Sequence, residues 1–222
     1  MSNPGDGVAE KDFEVDRWPA SLAVIACVAL YVVLPDTLVI QPKWLVPALE
    51  IAALVPLAWH RRHSTTDPRW TRPLAIGLFA LINIANIVSV VLLVRHLLKP
   101  GTIPADGRSL VYSAILIWAT NVIVFSLWFW ELDRGGPTKR FTSEQSWPDF
   151  QFPQMENPTL APATWHPRYV DYLYVAFTNA AAFSPTDAMP LSRTAKILMT
   201  VESGVSMITV IVVAARAVNI LH

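Results

Sequence analysis

The stretch from Arg168 to Leu221 constrains the fold of this chain more than any other. A half-length apolar segment, Tyr169 to Phe183, is followed by a polar turn through Ser184, Pro185, Thr186 and Asp187, and then by one long apolar run from Leu191 to Leu221. As a helix the first segment, about 15 residues, rises only ~22 Å, against ~30 Å for the hydrocarbon core of a bilayer. Such a segment enters a membrane without comfortably crossing it. Backbone of that kind persists at membrane depth only where protein covers it or where it lines a wet cavity, because lipid supplies no hydrogen bonds. Cover must come from the rest of the chain or from another copy.

Composition identifies that cover as further membrane helices. Of 222 residues, 53% are hydrophobic and 15% charged, where soluble domains carry about 25% charged residues. Seventeen basic residues balance seventeen acidic ones, which disfavours a nucleic-acid partner and leaves the lipid bilayer as the expected one. The single cysteine, Cys27, lies in an apolar run and permits no intrachain disulfide. The expected fold class is therefore all-α: a polytopic membrane bundle with five spanning helices and one short re-entrant segment.

In chain order, residues 1–18 form a polar, acidic tail that lacks the charge order and cleavage site of a signal peptide. One membrane domain, 19–221, follows. Its expected spans are 19–40, 44–59, 74–98, 109–130 and 191–221, with the half-helix over 169–183. The first span is interrupted by Pro35, the second carries Glu50, and the third carries Asn83 and Asn86 on one face. Trp118, Trp128, Phe129 and Trp130 mark the end of the fourth, where aromatic residues favour the membrane interface. The linker 131–167 is polar and proline-rich, and its Trp147, Phe150, Phe152 and Trp165 place it against the membrane surface or against other helices.

Five spans put Lys11, Arg17, Arg61, Arg62, Arg69, Arg72, Arg134, Lys139, Arg140 and Arg168 on one side, against Lys43, Arg95, Lys99 and Arg108 on the other. The positive-inside rule makes the first side cytoplasmic. The half-helix then enters from the cytoplasm and the C-terminus lies outside, in a plasma membrane, the inner membrane of a bacterium; were Tyr169 to Phe183 to cross completely, there would be six spans and a cytoplasmic C-terminus.

Short helix, turn and long helix is the plan of a pore loop. Residues Tyr172 to Asn219 resemble the pore module of two-helix potassium channels in the aromatic half-helix ending at Phe177 and Thr178, in Asp187-x-x-Pro190, and in Pro190, Leu191, Ser192 and Arg193 opening the last helix. With Trp147 to Pro153 (WPDFQFP), the same region is more similar to a family of bacterial multi-pass membrane proteins of unknown function. That resemblance rests on Asp171, Tyr172, Leu173, Tyr174, Phe177, Thr178, Phe183, Ser184, Asp187, Val218 and Asn219, about a third of the chain. It implies a multi-pass architecture with a degenerate pore module. The filter pattern T-V-G-Y-G falls on Ala182 to Thr186 or on Asn179 to Phe183, and neither alignment supplies a glycine. Stacked filter carbonyls need geometries that glycine reaches at little cost, so potassium selectivity is not expected.

A pore-loop or transport-like role, carried by a homo-oligomer, follows as the leading expectation. Thr178, Asn179, Ser184, Thr186 and Asp187 line its candidate polar path. Glu50, Asn83, Asn86 and Glu202 are candidate intramembrane polar sites, because ionisable and amide groups in a span face a bundle interior or a cavity. The plainer reading of each is glue between helices, with Asn121 as a partner for the Asn83/Asn86 stripe. Arg134, Lys139 and Arg140 read first as determinants of topology. His60 and His63, without a nearby carboxylate or thiolate, make a poor metal site, and no cofactor is expected. No phosphate loop, CxxC pair, HExxH or GxSxG is present, so an enzyme is not expected. The alternative function is a structural or sensory membrane subunit that uses the 131–167 linker as its docking surface.

Overall fold

The computed structural model describes residues 18–63, 68–98, 107–137, 139–142, 147–157, 159, 162, 165–182 and 188–220. The chain is mostly helical: α1 (Trp18–Val33), α2 (Leu45–His63), α3 (Thr71–Leu98), α4 (Gly107–Leu132), α5 (Lys139–Thr142), α6 (Pro153–Glu156), α7 (Tyr169–Ala182) and α8 (Arg193–Ile220). A small antiparallel ribbon pairs β1 (Phe150–Gln151) with β2 (Met189–Pro190).

Three helices, α3, α4 and α8, are long and apolar enough to cross a membrane; α1 and the apolar part of α2 are shorter. The expected first span, 19–40, is not one helix. Pro35 disfavours helical geometry in the residue before it, so α1 stops at Val33 after 16 residues, a rise of ~24 Å. The chain then turns through a 3-10 helix at Asp36–Leu38. The Tyr31 hydroxyl accepts the Ile40 amide at 2.9 Å, and Lys43 Nζ reaches both Leu34 O (2.7 Å) and Asp36 (2.9 Å). Leu34, Leu38 and Val39 are thereby folded into a buried cluster with Val46, Val90, Leu93 and Ile117.

Helix α4 is the hub, touching α1, α3, α7 and α8. Its lower half buries Phe125, Leu127, Phe129 and Trp130 against Tyr169, Tyr172, Val175 and Ala176 of α7. Phe129 and Trp130, expected at a membrane interface, are instead core residues, 0% and 2% exposed. Helix α7 is fixed at its start by Asp171, whose Oδ2 accepts the Arg168 amide at 2.6 Å, the reaching-back half of a capping box.

The small ribbon sets the path of the chain. Phe150 of β1 lies 5.0 Å from Phe129 of α4 and 6.1 Å from Tyr172 in the first turn of α7. Phe150 also pairs with Pro190 of β2, and the Leu191 amide donates to Asp149 O at 2.8 Å. The C-terminal end of α4 and the N-terminal ends of α7 and α8 therefore share one end of the bundle. Helix α7 leaves that end, rises ~21 Å over its 14 residues, and the chain is back there by Met189.

Candidate functional site: the α4–α7–α8 seam

Midway up the bundle, polar side chains from three helices meet inside apolar surroundings. Asn179 projects from α7 and donates through Nδ2 to Glu202 Oε2 at 2.6 Å and to Met199 O at 2.9 Å. The Ser203 hydroxyl donates to Asn179 Oδ1 at 3.1 Å. From α4, Asn121 Nδ2 donates to Glu202 O at 3.1 Å and to Ser206 Oγ at 3.0 Å. Glu202, Asn121 and Ser206 are 0% exposed and Asn179 3%. Local sequence explains this convergence: Glu202 and Ser206 are four apart on α8 and share a face, and Ser203 flanks it.

A carboxyl group at this depth is costly unless it is paired. Among the described residues Glu202 has no ion pair, and its Oε1 has no hydrogen-bond partner. Asn121 Oδ1 is likewise buried and unpartnered.

The sequence-predicted residues separate into three groups. Asn179 and Glu202 are brought together. Thr178 is buried beside them, but its hydroxyl bonds carbonyls of its own helix, Tyr174 O at 2.9 Å and Val175 O at 3.1 Å. Ser184, Thr186 and Asp187 lie outside the described residues. Glu50 is 1% exposed on α2, with Oε2 unpartnered. Asn83 Oδ1 and Asn86 Nδ2 on α3 also lack partners, while Ser89 bonds its own helix at Ala85 O. Asn121 is not the partner expected for that stripe; it faces α8.

A second polar cluster, at the shared end, was not legible as a site. Asp133, 0% exposed, accepts the Asp149 amide (2.8 Å) and the Phe150 amide (3.4 Å) on Oδ1. Its Oδ2 accepts the Tyr172 hydroxyl and faces Arg140 Nε at 3.6 Å. Arg140 also donates to Trp130 O (2.7 Å) and Pro167 O (3.3 Å), and its guanidinium lies 5.0 Å from the Tyr172 ring centre. Burial, partly offset by Arg140, pushes the Tyr172 phenol well above its ordinary value, so it stays a donor to Asp133. Arg140 is thus buried, 8% exposed, and holds the linker in place, where the sequence suggested a free topology charge. The turn into this cluster needs Gly136: its φ is +108°, and a Cβ there would sit 3.3 Å from both Glu131 O and Glu131 Oε1. The signal in the sequence was the pair Gly135-Gly136 directly after an acidic helix end.

This latch consumes much of the expected docking surface. Phe150 and Phe152 are 0% and 4% exposed and Trp165 packs on the core, although Trp147 remains 91% exposed. No known protein family, curated protein or solved structure matches this chain.

Proposed function

We propose that the protein is a multi-pass integral membrane protein of a bacterial plasma membrane, channel-like or transport-related, with α7 as a re-entrant half-helix and the Asn179–Glu202 contact as its working site. The observation that carries this reading is the path of α7, which starts at the same end of the bundle as α8 and delivers a buried amide to a buried carboxyl about a third of the way along a long apolar helix. Five crossings follow if α1 and α2 also span, and the counterparts noted in the C-terminal third support placement in the multi-pass family resembled. The chemistry is passage rather than catalysis, without potassium selectivity.

The test is reconstitution of the purified protein into liposomes, with decay of imposed H⁺, Na⁺, K⁺ and Cl⁻ gradients followed by ion-sensitive dyes. Decay above that of protein-free liposomes, lost in Asn179→Leu, is expected. Wild-type protein that leaves all four gradients at leak level would sink the proposal. The structural or sensory reading has its own support in the Asp133–Arg140 latch, which clamps the linker and α7 together; it predicts no flux for either protein.

A further inference from the structure

We propose that the α4–α7–α8 seam binds a proton, taken by Glu202 on Oε1. The inference rests on the reading above in treating this seam as the working site, and it names the ligand.

The argument is a count of donors and acceptors. A side-chain amide has two hydrogens, and both those of Asn179 are used, on Glu202 Oε2 and Met199 O. Both those of Asn121 are used as well, on Glu202 O and Ser206 Oγ. The Ser203 hydrogen goes to Asn179 Oδ1, and the Ser206 hydroxyl, whose oxygen accepts from Asn121, keeps one hydrogen of its own. Two acceptors remain with no donor, Glu202 Oε1 and Asn121 Oδ1, each on a residue that is 0% exposed. Even with the Ser206 hydrogen set against one of them, the seam is one hydrogen short, which is to say short of positive charge.

An anion would add acceptors to a site that already has too many. A hard metal cation takes about six to eight oxygens, and only two here are without a donor. A proton suits the deficit: the carboxylate becomes an acid, Oε1 becomes a hydroxyl donor, and the uncompensated buried charge is removed.

Among the described residues no titratable neighbour competes for it. On α7, Asp171 and the tyrosines lie more than a turn below Asn179, with Asp171 bonded to the Arg168 amide, Tyr169 to Ser126 and Tyr172 to Asp133. On α8, Arg193 and Lys196 precede Glu202 by at least a turn and are exposed. On α4, Tyr112 is exposed and Glu131 and Asp133 lie at the lower end. On α3, Arg72 is in the first turn, Arg95 and His96 are in the last, and His96 bonds Leu92 O. β2 contributes Met189 and Pro190 only.

The experiment is infrared spectroscopy of the protein in lipid bilayers, comparing wild type with Glu202→Gln, combined with labelling of wild type by dicyclohexylcarbodiimide, an apolar reagent for protonated carboxyls. Loss of one carboxylic-acid C=O band at neutral pH is expected in the variant. Peptide mass spectrometry should place an adduct on Glu202 that falls about tenfold per pH unit once alkaline of its midpoint and is unchanged by Na⁺ or K⁺. The labelling needs no folded variant, and its peptide assignment together with Glu50→Gln separates Glu202 from the buried carboxyls Glu50, Glu131 and Asp133. Absence of both band and adduct, or suppression of the adduct by Na⁺ or K⁺, overturns the proton assignment. Band and adduct present with no flux overturns the transport reading alone.

Discussion

Removing the Asp133 carboxylate should unfasten the linker from α7 at a cost that the geometry sets. In Asp133→Ala two backbone amides, the Tyr172 hydroxyl and the Arg140 guanidinium lose their common acceptor in a region closed to water. Arg140 retains Trp130 O and Pro167 O but is left as a buried cation without its counter-charge. Breaking a buried pair from one side costs ~3–5 kcal/mol. Tyr172→Phe removes one hydroxyl bonded to a charged group and keeps the ring, so about 1.5–3 kcal/mol is expected. The assay is equilibrium unfolding in mixed detergent micelles, read by tryptophan fluorescence, with both single variants and the double variant. The double variant should be less destabilised than the sum of the singles, because Tyr172→Phe has nothing left to lose once Asp133 is gone. Additive effects, or changes within about 0.5 kcal/mol for both singles, would refute the latch.

Further outcomes follow from the same geometry. Gly136→Ala should destabilise by ~1–3 kcal/mol in the same unfolding assay, since φ is +108° and a Cβ would press on Glu131. Asn121→Leu should cost less, about 0.6–2 kcal/mol, because hydrogen bonds between membrane helices contribute modestly. In a Cys27→Ala background, Trp44→Cys should react with a membrane-impermeant thiol reagent from outside while Trp70→Cys and Trp147→Cys are protected. All three positions are exposed, so the reverse pattern would overturn the orientation read from the basic loops.

Hydropathy made the long elements legible. α3, α4 and α8 begin and end within a few residues of the expected spans, because an unbroken apolar run leaves little choice but helix. The short helix α7 was legible from the length of its apolar run. The early stop of α1 was legible only in part, since Pro35 marks the break but the packing of Leu38 and Val39 against α3 is a tertiary matter. Within the site, Glu202 and Asn179 stood out as polar residues in apolar runs. Their contact, and that of Asn121 with Ser206 across 85 positions, is set by which helix faces meet, and helical periodicity does not encode that. Asp133 and Arg140 were masked by their setting, since charges in a proline-rich polar linker look solvated until Tyr172, 39 residues on from Asp133, closes over them.

The shared end of α4, α7 and α8 also fixes an order of assembly. As the chain emerges, α7 is complete before any of α8 exists, and at that moment Asn179 has neither Glu202 nor Met199 to bond. The linker can dock Asp133 on Tyr172 early, but β1 waits for β2, which comes just ahead of α8. A nascent chain halted near Ala188 would hold α7 packed on α4 but with its α8-facing side, Asn179 included, uncovered. The α7–α8 seam therefore closes only once the last helix is made, and chains truncated before Glu202 should be cleaved by added protease faster than the full chain.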